Sequence, residues 1–166
     1  MDVSRRRFFA GAKSRASAFR PPWSLQESLF VEHCTRCDDC LTACPTGLLV
    51  KGEGGFPVSD FALGYCTFCG DCARACTTSA IARDLTRTPW FFDIAIGEDC
   101  LSRQNVDCRI CGEQCDVSAI RFAPRLGGVP LPEINNSSCN GCGACIAPCP
   151  VVAVTRVITQ ADREPS

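Results

Sequence analysis

The cysteine spacing constrains this chain more than any other feature. Cys139, Cys142 and Cys145 fall at three-residue intervals, Cys149 follows after three intervening residues, and Pro150 comes next. Three thiols so spaced can converge on one object only if the backbone turns tightly, and Gly141 and Gly143 permit that turn without a Cβ clash. From Cys145 the chain can begin a helical turn that carries Cys149 away from its neighbours, and Pro150 cannot continue that helix. Cys149 then points to a second site. Cys34, Cys37, Cys40 and Cys44 repeat the pattern before Pro45, and Cys66, Cys69, Cys72 and Cys76 repeat it with Thr77 in the proline's place. A third group is irregular: seven residues, Leu101 to Asp107, separate Cys100 from Cys108 before Cys111 and Cys115 restore the spacing. Either that segment loops outward and Cys100 is a ligand, or the third site has three thiolates.

Thiolates are soft donors, and this run is the one that holds 4Fe-4S cubanes in bacterial ferredoxins. Tetrathiolate zinc usually draws on two separated pairs, and a disulfide scaffold has no need of the triplet, so both alternatives fit less well. All sixteen cysteines are therefore candidate cofactor ligands, through the iron of the clusters. The count implied is four clusters, or three if the irregular group fails. His, Met and Tyr occur once each, which leaves little for haem ligation or histidine catalysis, and His33 reads as surface. Phe68, inside the second loop, would shield a cluster or simply pack there. Asp38, Asp39 and Asp71, also in the loops, would lower a reduction potential unless solvent screens them. The cysteines are accompanied by no nucleophile with its base, no paired carboxylates and no phosphate loop, so the expectation is a protein that is not an enzyme.

A second register repeats with the first. The fourth and fifth residues after each fourth cysteine are apolar: Leu48-Leu49, Ala80-Ile81, Ala119-Ile120 and Ala153-Val154. Phe56 and Val58, then Phe92, Ile94 and Ile96, then Val129, Leu131 and Ile134 supply further strand-like residues. Gly54-Gly55 and Gly127-Gly128 occupy matching places, as turns joining the two halves of a domain. The fold class expected is a small α+β iron-sulfur protein, tandem bacterial 4Fe-4S ferredoxin-like domains stabilised by their clusters, each with two short hairpins and two helices. The expected division is 1–24 as basic arm and Pro-rich linker, 25–87 as the first domain and 88–166 as the second. The glycine turns favour sequential exchange, with Cys76 joining Cys34, Cys37 and Cys40, and Cys44 joining Cys66, Cys69 and Cys72. Nested pairing of the first group with the fourth stays open. Without metal, most of the fold should be lost.

Residues 1–20 carry six Arg and Lys against Asp2, while the remainder holds 11 basic and 17 acidic side chains. An acidic body makes nucleic acid an unsuitable partner, and no apolar run is long enough for a membrane span. Ser4-Arg5-Arg6-Arg7-Phe8-Phe9 is similar to the twin-arginine export consensus, but Lys13 and Arg15 interrupt the apolar stretch such a signal requires, so export is not expected. The arm reads either as a solvated basic tail or as a docking segment for an acidic partner, with Arg5, Arg6, Arg7 and Phe8 as the candidates. Ser24 and Glu27 have capping-box spacing, ahead of a short helix with Leu25, Leu29 and Phe30 on its apolar side.

Four cysteine groups, an irregular third one, the SRRRFF start and the RPPWS element ahead of HCTRCDDC together resemble the NapF family, the ferredoxin-type proteins of periplasmic nitrate reductase systems. The resemblance spans nearly the whole chain. It implies a cytoplasmic accessory protein whose partner is the precursor of the nitrate reductase catalytic subunit. Such a protein binds that subunit before export and assists its maturation by delivering or reductively repairing its iron-sulfur cluster. The alternative is a multi-cluster electron carrier that passes electrons to a redox enzyme.

Overall fold

The computed structural model describes residues 19–86, 89–90 and 92–157. Its helices are α1 (Glu27–His33), α2 (Asp39–Thr42), α3 (Asp71–Ala75) and α4 (Ile110–Glu113). Its strands are β1 (Leu49–Lys51), β2 (Pro57–Ser59), β3 (Asp93–Ile96), β4 (Ile120–Ala123), β5 (Leu131–Ile134) and β6 (Val154–Val157). The strands form three antiparallel pairs: β1 with β2 (Val50 opposite Val58), β4 with β5 (Ile120 opposite Ile134) and β3 with β6 (Ile96 opposite Val154). Two copies of one plan follow from this, though among the described residues the second copy has one helix, α4, where two were expected, because the fourth cysteine loop forms turns instead. Each has an inner hairpin, turned at Gly54 (φ 67°) in the first and at Gly127 (φ 70°) in the second, as the paired glycines predict.

The second pair of each copy is not a hairpin as expected. It joins the copy's first and last segments, β3 with β6 in the second repeat and a single Ser24–Ile81 bridge in the first. Leu25 N–H donates to the Ala80 carbonyl (3.0 Å) and Ala82 N–H to the Trp23 carbonyl (3.1 Å), which closes the first copy. This arrangement ties chain ends together by backbone pairing where the core is too small to hold them by burial alone.

The apolar pairs after each fourth cysteine form the core. Leu48, Leu49, Ala80, Ile81, Ala119, Ile120, Ala153 and Val154 are all buried, and all but Ala119 join the buried cysteines in one cluster.

Two local expectations are corrected. Ser24 does not cap α1: the residue before the helix is Gln26, no side chain caps it, and the Ser24 hydroxyl is buried without a partner. Glu27 is instead held by Arg20, whose guanidinium donates to both carboxylate oxygens (2.8 and 2.5 Å). Phe30 is the fully buried side chain of α1, with the Arg20 guanidinium over its ring (4.8 Å) and over the Phe56 ring (5.2 Å), whereas Leu29, expected on the apolar side, is exposed. Secondly, residues 19–24, expected as the end of a linker, are packed into the body. Pro21 and Pro22 are buried, Ser59 N–H donates to the Phe19 carbonyl (2.7 Å), and Trp23 N–H to that of Pro89 (3.0 Å).

Candidate metal centres

Three of the four cysteine loops begin with backbone rarely adopted by L-residues. Arg36 and Asp38 (φ 59° and 68°), Phe68 and Gly70 (55° and 81°), and Gly141 and Gly143 (74° and 75°) occupy the same two places in loops one, two and four. Successive turns of this kind aim backbone N–H groups inward, toward where anionic sulfur collects. The irregular third loop departs from the pattern, and Arg109, in the place of Asp38, has φ −129°. Three residues after each fourth cysteine the chain again enters the left-handed region, at Gly47, Ser79, Ser118 and Val152. That turn brings backbone N–H groups back onto the sulfur: Ile81 donates to Cys76 Sγ (3.4 Å), Ala119 to Cys115 Sγ (3.2 Å) and Ala153 to Cys149 Sγ (3.3 Å).

All sixteen thiols are free, and they gather in fours. Cys34, Cys37, Cys40 and Cys76 line one pocket. Cys115, Cys139, Cys142 and Cys145 line another, and Cys100, Cys108, Cys111 and Cys149 a third. Cys44 sits with Cys66, Cys69 and Cys72, close enough for their charges to act on one another. The exchange of fourth cysteines is thus sequential: group one with group two, group three with group four. Cys100 lies with its group because the inserted segment is folded back. Ser102, fully buried, donates its hydroxyl to the Cys108 carbonyl (2.7 Å), and Val106 N–H bonds the Leu101 carbonyl (2.9 Å). Arg103 pairs with Glu98 (2.5 Å) on the outer side. Ser102 was not marked by any sequence pattern, since a buried serine and a solvated loop serine read alike.

The donor sets fit 4Fe-4S clusters. Burial and then the charge of Cys34 and its neighbours push the Cys40 thiol up to about 12. Burial also pushes Cys72 and Cys145 up to about 12 and Cys66 and Cys111 up to about 11, with the surrounding thiolates adding to the rise. Four such groups cannot ionise together unless positive charge sits among them, which iron would supply. Cys44 moves the other way: burial pushes it up, but the Thr46 hydroxyl and the backbone of Leu49, Thr46 and Leu48 outweigh that and hold it below the usual range. Among the described residues, no group of three or more His, Cys, Asp or Glu side chains is drawn in tightly enough for a single metal ion.

The two copies meet at the inner thiols. Cys66 N–H donates to the Cys142 carbonyl (2.8 Å), so the second site abuts the one built on Cys139, Cys142 and Cys145. Next to this contact Phe19, Phe61, Trp90 and Phe92 form an aromatic cluster with centroids 5.2–6.2 Å apart. The Arg156 guanidinium lies over Phe19 at 4.1 Å. Gly143 lets Phe61 approach, since a Cβ there would stand 2.1 Å from the ring.

The model of the 4Fe-4S dicluster domain matches residues 33–80 and again 106–153, the two copies seen in the structure. The ferredoxin-type protein NapF of Escherichia coli (strain K12) is 46% identical over 156 residues, covering 93% of this chain and 94% of its own. The chain belongs to the NapF family. NapF of Haemophilus influenzae is likewise 46% identical, over 165 residues and 93% of each chain. The methylamine utilization ferredoxin-type protein MauM of Paracoccus denitrificans is 35% identical over 157 residues, 81% of this chain and 67% of MauM. Like the family, the chain is a ferredoxin-type iron-sulfur protein with multiple 4Fe-4S clusters in tandem dicluster domains. Arg5, Arg6, Arg7 and Phe8, the candidates for partner binding, lie outside the described residues. His33 is exposed, as expected, and Phe68 packs its ring toward Trp90 (6.5 Å). No described helix is long and apolar enough to cross a membrane.

Proposed function

We propose that the chain holds four 4Fe-4S clusters, one in each group of four thiols. In this reading it works in the cytoplasm as an accessory protein rather than an enzyme, binding the catalytic subunit of a periplasmic nitrate reductase before export and assisting its maturation. The observation that carries the reading is the extent of the family likeness, 46% identity over 93% of the chain, on a fold in which every fourth cysteine reaches a site. When bound, the clusters supply reversible one-electron storage. The chain's own contribution is to orient sulfur, donate N–H groups to it and limit water. The first copy leaves Cys37 and Cys69 exposed, whereas no cysteine of the second copy is exposed. An exposed ligand is where an incoming thiolate of a client can displace a protein sulfur, so the first copy suits cluster donation.

The basic arm, with Arg5, Arg6, Arg7 and Phe8, is the proposed docking segment. Deleting residues 1–18 should abolish capture of the nitrate reductase precursor while leaving iron content unchanged; full binding by the truncated protein would remove the arm from the account. The function itself is tested by isolating the catalytic subunit from cells with and without this protein and measuring its iron, sulfide and molybdenum. A fall in iron and sulfide supports maturation. Unchanged content with slowed nitrate reduction supports the second reading, an electron carrier, which the Cys66–Cys142 contact between the two copies favours.

A further inference from the structure

The four fourth cysteines differ in one respect that the fold does not require. The residue two places on is Thr46 after Cys44 and Thr78 after Cys76, but Val117 after Cys115 and Val151 after Cys149. In the first repeat both hydroxyls reach the sulfur, Thr46 Oγ1 at 3.6 Å from Cys44 Sγ and Thr78 Oγ1 at 3.7 Å from Cys76 Sγ. In the second repeat the same position is partly solvent-facing and has no hydrogen to donate. Because fourth cysteines are exchanged, Thr78 serves the site of Cys34, Cys37 and Cys40, and Thr46 the site of Cys66, Cys69 and Cys72. Each site of the first repeat thus has one hydroxyl at a ligand sulfur, and among the described residues neither site of the second does.

We propose that Thr46 and Thr78 set both sites of the first repeat at a higher reduction potential than those of the second, giving the molecule a built-in electrical polarity. A thiolate bound to iron has no proton of its own, so the hydroxyl is then the donor, and a donor at the sulfur stabilises the additional negative charge of the reduced cluster. Backbone N–H donors do not cancel the difference, since they reach sulfur in both repeats, from Phe68 and Ile81 in the first and Ala119 and Ala153 in the second. Of the carboxylates in the first repeat's loops, Asp38 is paired with Lys51 (2.5 Å) and Asp71 with Arg74, which leaves Asp39 to set against Asp116 in the second repeat, whose charge acts on Cys142. Thr78 is the stronger of the two, because Thr46 Oγ1 donates its single proton to the Tyr65 carbonyl (2.5 Å) and shares it with Cys44 Sγ only as the longer branch. With the repeats joined at Cys66 and Cys142, an electron supplied by a one-electron reductant would come to rest in the first repeat, the one whose Cys37 and Cys69 are exposed.

The proposal rests on each four-thiol site holding a cluster, and the iron and sulfide content of the same samples reports on that separately. The test is a dithionite titration of the full-length, cluster-loaded protein followed by electron paramagnetic resonance. In the Thr78→Val protein one of the two higher-potential components should move to lower potential while the lower-potential pair stays fixed. The Thr46→Val/Thr78→Val protein should shift both. The reverse exchange, Val117→Thr/Val151→Thr, alters surface-facing side chains and should raise the lower pair, so it decides the matter even where the threonine variants load poorly. Higher-potential components that stay in place in the double threonine variant would overturn the proposal, as would a lower pair unmoved by the added hydroxyls.

Discussion

Val152 stands at φ 52° with 72% of its surface exposed, a β-branched side chain in left-handed backbone that nothing around it repays. The same turn is made by glycine at Gly47. Val152→Gly should therefore stabilise the loaded protein by about 1 kcal/mol, read as loss of cluster absorbance at a higher guanidinium concentration. Gly143 is the opposite case. A Cβ there meets the Phe61 ring at 2.1 Å in backbone that already favours glycine, so Gly143→Ala should cost ~3 kcal/mol and deplete iron first from the site of Cys139, Cys142 and Cys145. The glycines at 141 and 143 were legible in the sequence as turn residues. Arg36 and Phe68 were not, because their side chains are not turn formers and the conformation is imposed by the sulfur loop as a whole.

At the scale of elements, the apolar pairs after each fourth cysteine were legible and form the strands and the core, because their spacing from the cysteines is constant. The helix at Glu27 was legible too, but its start was not. Glu27 follows Ser24 at capping-box spacing, yet Arg20 competes for it with two charged hydrogen bonds and two aromatic faces. Arg20→Ala should destabilise the first repeat by about 2 kcal/mol. Its hydrogen bonds to Glu27 hold that carboxyl below the usual range, burial opposing them. A lowered carboxyl pKa stabilises the fold above the unfolded value and ceases to do so as pH falls, so the gap between wild type and Arg20→Ala should narrow on acidification. The inserted segment before Cys108 hangs on the Ser102 hydroxyl. Ser102→Ala leaves the Cys108 carbonyl without that donor, should cost about 1 kcal/mol, and should loosen the Cys100 site alone, with loss of about a quarter of the iron on mild chelation.

At the scale of the molecule, short strands and helices of four to seven residues cannot offset chain entropy by themselves, so the fold depends on what the sulfur holds. Complete chelation should abolish most far-ultraviolet ellipticity. The junction of the repeats was not legible, since Phe19, Phe61, Trp90 and Arg156 are far apart in sequence and none belongs to a repeating motif. Arg156 is partly desolvated there, which pushes its pKa down, and Asp60 offsets part of that. The sequential exchange of fourth cysteines follows from the hairpins: β1–β2 brings the second loop back beside the first, and β4–β5 does the same for the fourth beside the third. Iron and acid-labile sulfide per chain, measured on anaerobically purified protein beside its Cys100→Ser variant, test the account at its centre. Four occupied sites predict about sixteen of each in the wild type, with the variant short by about four. About twelve of each in both proteins, or zinc without sulfide, would contradict it.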